Sequence, residues 1–164
     1  MKNKHCLPKF ICFLLLIFSI GIFTPPAGSA DDIPLSAGQT VYVPIYSHIY
    51  SGVKGRPFDL AATLSIRNTN LKSSITIDSI KYYDTGGKIV KDYLGAPIDL
   101  NALATTSYII AEGDKTGGSG ANFIVKWKSE QQVNPPIIEG VMIGTHSGQG
   151  ISFVSRGRVI KDDR

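Results

Sequence analysis

Four groups of residues in this chain of 164 have types and spacing suited to chemistry or recognition. Tyr42, Tyr46, His48 and Tyr50 fall at even positions of an alternating stretch, so an extended backbone puts them on one face. Aromatic rings with polar tips stack on sugar rings or pack against a partner, or their hydroxyls bond at the surface beneath a covering loop. The run Gly117-Gly118-Ser119-Gly120, leading into Asn122, can present successive backbone N–H groups to an anion. It lacks a following Lys-Ser/Thr and runs into a strand pattern, so a hairpin or bulge loop is the favoured reading. Arg156 and Arg158 flank Gly157 with the spacing of one strand face, and two guanidinium groups there can grip a carboxylate or phosphate. Exposed cross-strand pairing with an acid is the commoner outcome for such arginines.

The fourth group is His48 and His146, the only histidines after residue 30. Zinc would need further ligands such as Asp114 or Glu139, and no ligand spacing asks for them. A triad using Ser119 or Ser147 has no Gly-x-Ser-x-Gly elbow to support it. Two unrelated surface histidines are favoured, and no catalytic residue, metal or cofactor is assigned.

These residues need elements to hold them. Residues 39–50 alternate, with Val41, Val43, Ile45 and Ile49 opposite the tyrosines. Pro44 cannot donate to a ladder, which predicts an edge strand or a bulge. Phe58, Leu60, Ala62, Leu64 and Ile66 give a second strand. In residues 75–83 the apolar phase slips from Ile75 and Ile77 to Ile80 and Tyr82, which predicts a bulge near Asp78-Ser79. Asp84-Thr85-Gly86-Gly87 is a hairpin turn into a strand at 88–94. A crossover at 95–104, plugged by Ile98, Leu100 and Leu103, leads to a strand at 105–111. After the glycine loop, Ala121, Phe123, Val125 and Trp127 share a face over 121–128, followed by turn residues at 129–136. Residues 137–145 are apolar on both faces, as in a central covered strand, and 151–160 is the closing strand. No segment keeps a helical period. The expectation is an all-β fold, an antiparallel immunoglobulin-like β-sandwich of about seven to eight strands.

Residues 1–30 have the layout of a secretory signal peptide. Lys2, Lys4 and Lys9 precede an apolar run at 11–23, a Pro25-Pro26 break and the small residues Gly28-Ser29-Ala30. Cleavage after Ala30 implies a periplasmic or secreted protein with no stable membrane span. Three of the 17 basic residues lie in this segment, so the remaining 14 stand against 13 acids, a net +1 that gives no argument for nucleic acid. Cys6 and Cys12 lie there too, which leaves the rest without a disulfide or thiolate. A lead-in at 31–38, one domain at 39–160 and a tail at 161–164 are expected.

Residues 42–50, 62–69, 82–84, 118–123 and 150–157 resemble runs of one bacterial family, that of domain of unknown function 3124. The resemblance covers about residues 35–160, implies a secreted or periplasmic protein, and carries no catalytic or ligand residue across. The strand order is more distantly similar to immunoglobulin-like accessory domains of bacterial envelope proteins, a likeness of fold only. The expected function is a non-catalytic binding or assembly module for a protein, peptide or glycan. A small hydrolase or metal-dependent enzyme at the glycine-rich end is the alternative, and a self-assembling envelope component a third.

Overall fold

The computed structural model describes residues 34–51, 54–146 and 148–163, with the side chains of Ser51 and His146 left aside. The signal-like segment, Ser147 and a possible site there lie outside the described residues. In chain order the strands are β1 (Ser36–Pro44), β2 (His48–Ser51), β3 (Arg56–Asp59), β4 (Ala61–Arg67), β5 (Ile75–Tyr83) and β6 (Ile89–Asp92). There follow β7 (Ile98–Leu100), β8 (Thr105–Ile110), β9 (Asn122–Val133), β10 (Ile137–His146), β11 (Gln149–Arg156) and β12 (Arg158–Asp162). The six-stranded sheet runs β12-β1-β9-β5-β6 with β7 also on β5; the four-stranded sheet runs β11-β10-β4-β8; β2 and β3 form a ribbon. All pairings are antiparallel.

The fold class is the expected antiparallel β-sandwich, with 12 strands among the described residues in place of seven to eight. Three expected strands are each two strands. The stretch 39–50 leaves the large sheet after Pro44 and resumes as the ribbon strand β2. The stretch beginning at Phe58 breaks at Leu60, whose N–H donates to Ser47 O (2.9 Å) and ties the ribbon to the entry of β4. The closing stretch changes sheet at Gly157, whose N–H donates to Ile138 O (2.8 Å). A Cβ there would lie 2.7 Å from that carbonyl oxygen and 2.6 Å from Val41 Cγ1, so only glycine fits the crossing. Alternation survives such a bend because it records which side faces the core, not which sheet supplies the hydrogen bonds.

β1 is not an edge strand: it lies between β12 and β9. Ile45 N–H donates to Ala121 O (2.9 Å), so the alternate residue Pro44 turns its nitrogen away from β9. On that side the pairing with β12 has already ended at Tyr42↔Arg158, after a bulge between Thr40 and Val41. The proline therefore costs the ladder nothing. β1 also begins at Ser36, inside the stretch expected as a lead-in, where Ser36 Oγ donates to Asp162 Oδ1 (2.7 Å).

The bulge expected in β5 is present between Ile77 and Ser79 in the pairing with β9. It brings Ile75, Ile77, Ile80 and Tyr82 all into the core. β9 continues to Val133 through residues expected as a turn, and Val133 is buried opposite Ser36. Trp127 is buried with Ala121, Phe123 and Val125. β10 is central in its sheet, but only one of its faces is covered: Ile138 and Met142 are buried while Ile137 and Ile143 are exposed. Leu103 is no plug either; it sits exposed in a turn with φ 60°.

Candidate functional site

One end of the sandwich gathers the ribbon, the 84–87 hairpin and the glycine loop. The loop is held from two sides. Gly117 O accepts from Thr85 N (2.9 Å) and Thr85 Oγ1 (3.0 Å), and Gly120 N–H donates to Thr85 Oγ1 (3.0 Å). From the other side, Gly118 O accepts from Ser47 N (3.2 Å) and Ser47 Oγ (2.9 Å). Gly118 takes a φ of 74°, the left-handed region that glycine enters without strain. A Cβ on Gly117 would lie 1.8 Å from Tyr82 Oη, so the loop backbone rests directly on that hydroxyl. The Gly118 N–H is itself used, donating to Lys115 O (3.1 Å). With Gly118 and Gly120 both donating inside the fold, the loop is a clamp between two hairpins rather than an open anion nest.

A chain of hydrogen bonds runs outward from the clamp. Ser47, fully buried, has one proton, and that proton goes to the Gly118 carbonyl. Ser47 Oγ therefore accepts from His48 Nδ1 (3.3 Å), which assigns the Nδ1–H tautomer to the neutral ring. His48 Nε2 then accepts from Tyr50 Oη (3.3 Å), and the two rings meet edge-on with centroids 5.2 Å apart. His48 pairs across the ribbon with Asp59. Asp59 binds Lys115 Nζ of the loop through Oδ2 at 2.9 Å, while its Oδ1 is buried without a hydrogen-bond partner. Ribbon and loop are thus tied at Ser47 and again at Asp59.

Beneath the clamp lies an aromatic cluster. Tyr82 and Tyr93 pack on Phe123 with centroids 5.0 and 5.5 Å away, Tyr93 meets Tyr108 at 5.3 Å, and Lys91 Nζ stands 4.3 Å over the Tyr93 ring. Tyr82 Oη is buried without a partner; burial, then the nearby Asp114 charge, push its pKa up to about 12. The same two causes raise Tyr93. Asp114 is held below the usual carboxylate range because Thr116 donates to it from Oγ1 (2.5 Å) and from the backbone N–H (3.0 Å).

The aromatic face expected on one strand is divided among three places. Tyr42 is half-buried on the outer side of the large sheet, between Arg158 and Ile124. Tyr46 sits in the bend after β1, 36% exposed, edge-on to Phe153 at 5.7 Å. His48 and Tyr50 stand on the ribbon, with Tyr50 64% exposed. The structure brings His48 and Tyr50 to Gly118 through Ser47, and it places Ser119 and Gly120 in the same clamp. Asn122 opens β9 opposite Pro44 and Tyr83, at this same end. The arginines are not a pair: Arg156 lies on β11 opposite Glu139 and Arg158 on β12 opposite Tyr42, in different sheets. Their one-face reading fails because Gly157 carries the chain from one sheet to the other.

Ser47, Thr85, Asp59 and Lys115 were not singled out in the sequence. Each is an ordinary polar residue there, and its role depends on a partner between 32 and 71 positions away or 56 positions away for the ion pair. Among the described residues no three His, Cys, Asp or Glu side chains come together as a metal-binding group. A depression of about 500 Å³, lined by Lys72, Thr76, Asp99 and Glu130 among others, has none of the ten expected site residues in its lining.

Residues 38–160 match the family described as "Protein of unknown function (DUF3124)". The chain belongs to this family. No curated protein matches it. Among solved structures it is similar to "Crystal Structure of Thermotoga maritima 1070", at 12% identity and a TM-score of 0.43 over 73% of this chain and 92% of that one. It is also similar to the structure of FLGD from P. Aeruginosa, at 15% identity and a TM-score of 0.21 over 74% of this chain and 72% of the other. Neither likeness carries an argument about this chain's function.

Proposed function

We propose that this member of the family is an exported, non-catalytic binding module that takes a protein, peptide or glycan at the clamped end of the sandwich. One observation carries the reading. The hydrogen-bond chain from Tyr50 through His48 and Ser47 to Gly118 fixes an exposed aromatic surface on a rigid base. Exposed tyrosines held in place lose little freedom on binding, which suits contact with a sugar face or a partner surface. The same chain speaks against a nucleophilic role for Ser47. Its hydroxyl is fully buried, donates to a carbonyl, and meets the protonated nitrogen of His48 instead of a lone pair. The signal-like layout of residues 1–30 supports export, and an exported protein would meet its partner in the envelope or outside it.

Site-directed photocrosslinking tests the proposal. A photoreactive aromatic side chain at position 50 in the cell-expressed protein is expected to give discrete adducts. The same group at position 71, where Leu71 is 75% exposed in the turn at the other end, is expected to give none. Equal labelling at both positions, or none at 50, overturns it.

A further inference from the structure

The four-stranded sheet has two edges, β11 and β8. At β11 the sheet turns a corner: Ser155 Oγ donates to Pro44 O, Tyr46 packs on Phe153, and the strand ends on Arg156. The large sheet ends on β12, which carries Arg158, Lys161 and Asp162, and on its other side on β6, with Lys91, Asp92 and a register shift at Tyr82/Tyr83, and on the three-residue β7, with Asp99. Charges, corners and irregular register are the usual protections of a sheet edge. β8 has none of them. Its sequence Thr105-Thr106-Ser107-Tyr108-Ile109-Ile110 holds no charge, proline or glycine, and it pairs with β4 without a shift.

The direction of its free backbone groups follows from one bond. Asn68 N–H donates to Ala104 O (3.0 Å) in the same register that pairs Ile66 with Thr106 and Leu64 with Tyr108. Residues 104, 106, 108 and 110 thus bond toward β4, and Thr105, Ser107 and Ile109 turn their N–H and C=O groups outward. All three are exposed, Ile109 by 69%. Tyr108 points inward, its ring against Tyr93, and leaves the outer side uncovered.

The geometry points to β8 as a homodimer edge that takes the β8 strand of a second copy, antiparallel about a two-fold axis. With the axis at Ser107, Ser107 faces Ser107 of the other copy and Thr105 faces Ile109 in both directions. Every outward N–H and C=O then meets its complement. The self-pairing is isologous, so it closes at two subunits, and the two small sheets join into one continuous sheet. A neutral strand meets no charge repulsion from its own copy. On the outer face, each Ile109 gains cover from Thr105 of the other copy, and Val141 and Val154 continue the apolar row inward through Thr63. β8 reaches the clamped end through Tyr108, but the dimer rests on the outward groups of Thr105, Ser107 and Ile109 and on none of the clamp's hydrogen bonds, and its test reads mass where the other reads adducts.

Light scattering coupled to size exclusion, run on the purified protein over a concentration series, tests the edge. The wild type is expected to show the mass of a dimer that dissociates on dilution. Ser107→Pro removes an outward N–H and none that bonds to β4, and Ile109→Lys sets two charges across the axis. Each is expected to weaken the dimer on the order of ten-fold or more. Circular dichroism and the melting transition of the resulting monomer verify that the variants fold. Ile143→Lys alters another exposed position on the same face, 53% exposed but on the central strand β10, and is expected to keep the dimer. A wild type that stays monomeric to about millimolar concentration overturns the proposal. So does a dimer indifferent to both β8 variants, or one lost equally with Ile143→Lys.

Discussion

Gly117→Ala is the sharpest perturbation of the clamp, because its effect is steric and not conformational. Gly117 is not among the positive-φ glycines, so alanine meets no backbone penalty there. The added Cβ would instead lie 1.8 Å from Tyr82 Oη, 2.5 Å from Tyr82 Cζ and 2.7 Å from Ala121 Cβ. Tyr82 cannot yield, since it is fully buried and packed on Phe123. The loop must lift, and lifting stretches the two bonds from Thr85 to the Gly117 carbonyl. Overpacking costs about 1–3 kcal/mol and each weakened bond about 1 kcal/mol. A loss of about 3–5 kcal/mol results, which lowers Tm by about 10–20 °C in a domain of this size. Tyr82→Phe alone removes a buried hydroxyl that has no partner, so it is expected to change stability by less than about 1 kcal/mol. Combined with Gly117→Ala it should restore about 1 kcal/mol, because the nearest clashing atom is gone while Cζ remains. Denaturant unfolding of the four proteins measures this cycle. A Gly117→Ala variant within 0.5 kcal/mol of wild type, or strictly additive effects, would refute the packing described here.

Two further outcomes follow from the core. The Tyr82 hydroxyl is protonated in both folded and unfolded states below pH 10 and adds no pH dependence there. Above pH 10 the unfolded chain ionises first, so stability falls with rising pH until folded Tyr82 also ionises near pH 12. The loss is on the order of 3 kcal/mol, and alkaline unfolding of Tyr82→Phe beside wild type should show a shallower decline; equal slopes would deny the shift. Trp127 lies 2% exposed between Gln39 and Ile77 at the middle of the large sheet. Trp127→Ala should cost about 3–5 kcal/mol in denaturant unfolding, and a near-wild-type midpoint would contradict its burial.

The parts of the fold that the sequence carries plainly are those encoded by facing. The phase slip at Asp78-Ser79 became a bulge because both halves of β5 must bury their isoleucines, and the one-face run ending at Trp127 became the spine of the large sheet. What alternation cannot record is a change of sheet. The stretches around Ile45 and Leu60 keep their inward phase while their hydrogen-bond partners change, and beyond Gly157 the apolar residues Val159 and Ile160 are exposed on the new strand, so each read as a single strand. Pro44 suggested an edge because its missing N–H is visible in the sequence, whereas the end of β12 pairing at Tyr42 is not. At the site, the tyrosines, His48 and the glycine loop were each legible, but their connection was not. It runs through Ser47, a residue without a distinguishing neighbour pattern, and becomes visible only when Gly118 lies beside it.

The central claim is that the clamped, aromatic end is where a partner binds. The measurement that reaches it most directly is photocrosslinking from position 50 in wild-type and Ser47→Ala backgrounds, with position 71 as the opposite end. Discrete adducts from position 50, weakened when Ser47→Ala releases His48 from the loop, are the expected result. Adducts of equal yield from position 71, or none from position 50 in a folded, exported protein, would contradict it.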